Sequence, residues 1–133
     1  MRMVFLDTVG LLALWDAADQ WHEPAQKAFD KLLADRSRLY TSSYIFLECG
    51  NAASRKRFRP AVDRLRQQMR IKGQIFDPTD QDIEAAWASY GRGEANNAGI
   101  VDMVSFAIMR RMGIVDAFTN DRHYQAAGFN TLF

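Results

Sequence analysis

Apolar positions along the chain fall into short blocks whose period changes repeatedly. Arg2 to Leu6 is a compact run rich in strand formers that stops at Asp7-Thr8, and it predicts a strand. Leu11, Leu12, Leu14 and Trp15 follow at helical spacing, so a short helix starts just after Asp7, with Asp7 or Thr8 as its cap. Pro24 sits near the start of a second helix that puts Ala25, Ala28, Phe29, Leu32 and Leu33 on one face. Arg38 to Thr41 reads as a strand, and Ser42-Ser43 offers a cap for a helix running to about Phe58. Pro60 breaks that helix or begins the next, along which Val62, Leu65, Met69 and Ile71 keep a stripe.

Gly73 punctuates, Gln74 to Phe76 reads as a strand, and Asp77-Pro78-Thr79 as a turn. Thr79 with Asp82 resembles a capping box opening a helix to about Tyr90. Gly91 to Gly99 is polar and rich in Gly and Asn, which predicts a loop. Ile100 to Met112 is apolar nearly all round, a buried helix closed by Gly113. Ile114–Thr119 is a strand, His123 marks a last helical turn, and a strand at Asn130–Leu132 finishes the pattern. Strands alternating with helices predict an α/β domain around a mostly parallel sheet, with residues 1–133 as one domain.

Composition narrows the class without naming it. The 133 residues are 48% hydrophobic and 25% charged, which argues against disorder and a coiled coil. The single cysteine, Cys49, excludes an internal disulfide and a cysteine-based metal site, and it fits a reducing cytoplasm. No apolar stretch approaches the ~18–20 residues of a membrane span. Met1-Arg2-Met3 leads straight into a strand without a cleavage-site pattern, so no signal peptide is expected.

The net charge of +1 conceals an asymmetry. Ser54 to Lys72 holds eight basic residues against Asp63 alone, a net of +7, which leaves −6 for the remainder. Such a stripe is either a solvated helix face or the footprint of a polyanion site.

Four acids stand where solubility does not need them. Asp7 ends the first strand, and Asp121 lies just beyond the 114–119 strand. Asp102 is flanked by Ile100, Val101, Met103 and Val104, and Glu48 follows Tyr44-Ile45-Phe46-Leu47. A charge among apolar neighbours is costly unless it is paired or binds a cation. Singly, Asp7 is accounted for as a helix cap and Asp121 as a turn residue. If all four converge, their repulsion raises their pKa values, and a divalent metal relieves it. Oxygen ligands favour Mg²⁺ or Mn²⁺ over Zn²⁺, and such a site suits phosphodiester hydrolysis.

Three blocks resemble the PIN-domain family, close to the toxin ribonucleases of the VapBC toxin–antitoxin class. They are Val4-Phe5-Leu6-Asp7-Thr8 with Leu11 to Leu14, Thr41-Ser42 through Glu48 to Asn51, and Val101-Asp102 to Met109, continuing to Thr119-Asn120-Asp121-Arg122-His123-Tyr124. The resemblance implies a three-layer α/β/α domain, with four acids at the carboxyl edge of a parallel sheet, and a Mg²⁺- or Mn²⁺-dependent ribonuclease. It implies catalytic roles for Asp7, Glu48, Asp102 and Asp121, with Asp7, Asp102 and Asp121 as the direct metal contacts. Thr8, Ser105 and Thr119 match places where relatives keep a hydroxyl beside the acids. It also implies an RNA substrate, a small antitoxin partner and a homodimer. One departure is Gly99, where many relatives carry Ser or Thr three residues before the third acid.

Given an RNA ligand, Arg55, Arg57 and Arg59, on the continuation of the helix that bears Glu48, would steer a phosphate backbone. That region also serves partner or dimer contacts in the family. His123 reads as a structural or positioning group rather than a general base, and Trp15, Trp21 and Trp87 read as core. A haloacid-dehalogenase phosphatase also starts with a strand ending in Asp-Thr, but it needs a second Asp where Val9 stands. The non-enzymatic alternative is a PIN-like module that binds RNA or protein without cutting.

Overall fold

β1 (Met3–Leu6) buries Val4, Phe5 and Leu6 almost completely. Successive strand side chains point to opposite faces, so both faces of the sheet are covered at this strand. The computed structural model describes residues 2–133. Met1, part of the leader-free reading above, lies outside the described residues.

Five strands form one parallel sheet in the order β3-β2-β1-β4-β5, where β2 is Arg38–Ser42, β3 Ile75–Phe76, β4 Asp116–Phe118 and β5 Asn130–Thr131. Val4 pairs with Leu39 on one side of β1 and with Asp116 on the other. The chain therefore starts at the centre, winds outward to β3, and crosses back to build β4 and β5 on the far side. The reversal puts the switch point, where open parallel sheets bind ligands, at the carboxyl ends of β1 and β4. The three-layer α/β/α expectation holds.

The helices are α1 (Thr8–Trp15), α2 (His22–Ala34), α3 (Ser43–Ala52), α4 (Arg59–Ile71), α5 (Asp80–Gly91), the single turn α6 (Glu94–Asn97), α7 (Ile100–Met112) and α8 (Arg122–Ala126). Ser42 caps α3 by accepting from the Ile45 amide at 3.3 Å. The Thr79–Asp82 capping box is present in both directions. Asp82 also receives two hydrogen bonds from Arg111, at 2.8 and 3.0 Å, which ties α5 to α7. Gly113 takes φ +70, where its N–H reaches the Arg110 carbonyl and that of Ile114 reaches Met109, so α7 closes with a Schellman pair.

Several expectations need correction. The helix that bears Glu48 ends at Ala52, not near Phe58. Ser54 donates its hydroxyl to the Gly50 and Asn51 carbonyls, and the backbone turns there. Trp21 and Trp87 are 45% and 51% exposed rather than core, while Trp15 packs against the core and stacks on Phe58. The loop before Asp102 contains α6, in which Ala95 and Asn96 have left-handed backbone. The strand expected over 114–119 is shorter, 116–118.

Candidate active site

Asp7 is the first residue after β1 and occupies the N-cap position of α1, but its side chain makes no capping bond. Both carboxylate oxygens are taken from elsewhere. Thr119 donates its hydroxyl to Oδ2 at 2.8 Å, and Tyr124 donates to Oδ1 at 2.8 Å. All three residues are buried. The capping role read from the sequence is thus replaced by long-range bonds. Burial outweighs these two donors, and with the repulsion of Asp121 it pushes the Asp7 carboxyl up to about 6.

Glu48 projects from α3, the helix that follows β2, the neighbour of β1. Thr8 donates its hydroxyl to Glu48 Oε1 at 2.6 Å. Asp102 sits in the first turn of α7. Burial is the main cause that pushes its carboxyl up to about 7, followed by the charges of Asp7, Asp121 and Glu48, against a smaller opposing effect of His123. Asp121 caps α8, accepting from the His123 amide at 2.9 Å and standing 3.0 Å from His123 Nδ1. Its own N–H donates to the Thr119 hydroxyl at 3.1 Å, so Thr119 links Asp121 to Asp7.

The structure thus places the four acids read from the sequence near one another at the carboxyl edge of the sheet, where the charges of Asp7, Asp121 and Glu48 act on Asp102. Of the three hydroxyls, Thr8 and Thr119 bond directly to an acid. Ser105 is buried beside Tyr124, and its Oγ has no hydrogen-bond partner among the described residues. Gly99 stands at the N-cap of α7 without a side-chain cap, and a Cβ there would meet nothing within 4 Å. Cys49 is buried, and desolvation with the charges of Asp7 and Glu48 pushes its thiol up to about 12, so it holds its proton.

Arg55 and Arg57 lie in the turn after α3, and Arg59 opens α4. All three are exposed, and no ion pair joins them to the acids among the described residues. The early end of α3 removes the helical continuation that was to carry them. Sequence reasoning missed Tyr124 as a partner of Asp7. It also gave His123 less than its place: ligand atoms of Asp102, Asp121 and His123 all lie within 4.8 Å of one another. The available signal was a tyrosine and a histidine within three residues of Asp121.

The raised carboxyls set a pH dependence with a definite sign. Asp7 and Asp102 hold their protons to higher pH in the fold than in the unfolded chain, whose value is near 3.8. The folded state therefore binds more protons, and its stability falls as pH rises from about 4 through about 7. In chelator, urea unfolding at pH 8 should show a stability on the order of 3 kcal/mol below that at pH 5. A saturating divalent cation, which binds the ionised carboxylates, should stabilise more at pH 8 than at pH 5. A flat profile between these pH values in chelator would contradict the assigned burial of these charges.

A parallel sheet that gathers four carboxylates at its switch point defines a class, an α/β protein with an acidic centre suited to phosphate chemistry. Residues 4–130 match the family model of the PIN domain, and the chain belongs to that family. It is 30% identical over 135 residues to the 23S rRNA-specific endonuclease VapC20 of Mycobacterium tuberculosis, covering 96% of this chain and 95% of that one. The crystal structure of VapC20, a sarcin–ricin loop cleaving toxin, matches with TM-score 0.79 and 28% identity over 95% of each chain. A structure of FitAB bound to an IR36 DNA fragment matches with TM-score 0.69 and 18% identity, over 97% of this chain and 93% of that one. FitAcB from Neisseria gonorrhoeae matches with TM-score 0.66 and 16% identity, over 98% and 97%. These last two show likeness of fold alone. PIN-domain nucleases use divalent metal, and the carboxylate cluster provides for one.

Proposed function

We propose that this protein is a divalent-metal-dependent endoribonuclease and the toxin of a toxin–antitoxin pair. The observation that carries the reading is the convergence of Asp7, Glu48, Asp102 and Asp121 at one sheet edge, with two carboxyls pushed up by burial and mutual charge. An all-carboxylate set with that excess of negative charge fits Mg²⁺ or Mn²⁺. Whole-length likeness to an rRNA endonuclease supports RNA as substrate, and a structured ribosomal RNA with an unpaired loop is the class we assign.

Asp7, Asp102 and Asp121 would hold the ion. When bound, the ion neutralises phosphate charge and makes water easier to deprotonate. Thr119 and Tyr124 fix both oxygens of Asp7, so its orientation is set before a ligand arrives. Thr8 engages Oε1 of Glu48 and leaves Oε2 to orient the attacking water and take its proton. Water attacks phosphorus and gives its proton to Glu48, the bond to the 3′ oxygen breaks, and solvent water protonates that oxygen, giving a 5′-phosphate and a 3′-hydroxyl. Arg55, Arg57 and Arg59 are assigned to the RNA backbone as exposed cations.

The partner is a small antitoxin that covers the acidic crevice with a basic side chain, and the toxin acts as a homodimer in the cytoplasm. No helix among the described residues is long and apolar enough to cross a membrane. The test is incubation of purified protein with total cellular RNA and intact ribosomes, in Mg²⁺, in Mn²⁺ and in chelator. Discrete fragments with 5′-phosphate ends, only with metal, are expected. Binding of the same RNA without any cleavage would replace the enzyme with a non-catalytic module.

A further inference from the structure

The acids account for an all-oxygen centre, but a nitrogen stands among them. His123 Nδ1 is 3.0 Å from Asp121 Oδ1, which also accepts the His123 backbone N–H at 2.9 Å. The backbone bond fixes His123 beside the carboxylate; the ring contact is a hydrogen bond when Nδ1 carries the proton, and the other tautomer leaves Nδ1 free to take an ion in that proton's place. Ligand atoms of Asp102, Asp121 and His123 lie within 4.8 Å of one another.

Neighbouring ligands of a six-coordinate ion with bonds of ~2.1 Å are separated by ~3.0 Å, and opposite ones by ~4.2 Å. The Nδ1 to Oδ1 distance equals such an edge, and ligand atoms that all lie within 4.8 Å of one another need at most a sub-ångström contraction to share one ion. The His123 side chain keeps 39% of its surface exposed and that of Asp121 21%, so an ion reaches the triad from solvent.

We propose that His123 is a nitrogen ligand of the metal centre, so that the site takes Mn²⁺, or a later first-row divalent ion, in preference to Mg²⁺. Mg²⁺ favours oxygen and binds imidazole weakly, whereas Mn²⁺ and the ions after it accept nitrogen increasingly well. The inference rests on the metal-centre reading above and adds to it one ligand and an ion preference. The other histidine, His22, bonds through Nδ1 to the Ala13 carbonyl at 2.9 Å and belongs to no such cluster among the described residues.

The experiment uses the purified full chain stripped of metal and titrated with Mn²⁺, followed by electron paramagnetic resonance of bound and free ion. Pulsed measurements then seek the ¹⁴N modulation that a coordinated imidazole imposes on Mn²⁺. Wild type and His22→Asn should show it, and His123→Asn should lose it. Competition with Mg²⁺ should show a preference for Mn²⁺ that falls by about tenfold in His123→Asn. Mn²⁺ bound by wild type without nitrogen modulation overturns the inference while leaving the carboxylate centre standing. Failure of wild type to bind Mn²⁺ at all overturns both. The wild-type spectrum decides even if a variant folds poorly.

Discussion

Asp102→Asn should lower RNA cleavage by at least ~10³-fold while making the metal-free protein more stable. The two effects share one cause. The Asp102 carboxylate is desolvated, and it faces the charges of Asp7, Asp121 and Glu48. Ionised and without metal, it works against the fold. Asparagine keeps the shape and removes the charge, so the unfolding midpoint of the metal-free protein at pH 7.5 should rise by several degrees, for a gain of about 1–3 kcal/mol. The same neutralisation removes an anionic ligand, so the gain conferred by Mn²⁺ should shrink. Opposite signs for activity and stability separate loss of chemistry from loss of folding. Thermal unfolding and cleavage of one RNA, measured in parallel, check both. A variant that is inactive and less stable would mean that Asp102 has a structural role instead.

Gly10→Ala should be the most damaging small substitution in the chain. Helix propensity alone predicts a gain of about 1 kcal/mol, because Gly10 lies inside α1. Packing reverses the sign. A Cβ at Gly10 would lie 2.0 Å from the Phe118 carbonyl oxygen and 2.7 Å from Phe118 Cδ2. The oxygen belongs to backbone in β4 and cannot rotate away, so α1 must lift from the strand. That movement separates Asp7, at the start of α1, from Thr119, at the end of β4. We expect a loss of roughly 3 kcal/mol or more, with weakened metal binding in whatever remains folded. Gly50 in α3 is the control. Nothing lies within 4 Å of its would-be Cβ, so Gly50→Ala should stabilise by about 0.5–1 kcal/mol. Urea midpoints of both variants test the contrast, and equal effects would mean that α1 does not pack on β4 this closely.

The elements with strong local signals were legible. The Thr79–Asp82 box and the Gly113 stop are stretches of a few residues whose own side chains or φ satisfy nearby backbone groups. Misreadings arose where a distant or competing bond decides. Apolar periodicity does not show that Ser54 turns back onto Gly50 and Asn51, so it predicts α3 too long and puts Arg55 and Arg57 on a helix. Trp21 and Trp87 sit at plausible core spacing, yet about half of each stays exposed. Tyr124 was passed over because its partner Asp7 is 117 residues away.

By itself, the sequence determined which residues bear the costly charges. An acid beside Ile100, Val101, Met103 and Val104 is an expense that local composition reveals, and the same holds for Asp7 after its apolar strand. It also determined the alternation of strand and helix, because periods of two and 3.6 are properties of the chain. Only the tertiary structure decided that β1 is central, that the switch point falls between β1 and β4, and that the four acids meet there. It alone supplied Tyr124 to Asp7 and His123 to Asp102 and Asp121, and it showed which acid the Thr119 hydroxyl serves. The physical reason is that local pattern sets which face of an element is apolar, whereas the contacts of a polar side chain depend on which elements become neighbours.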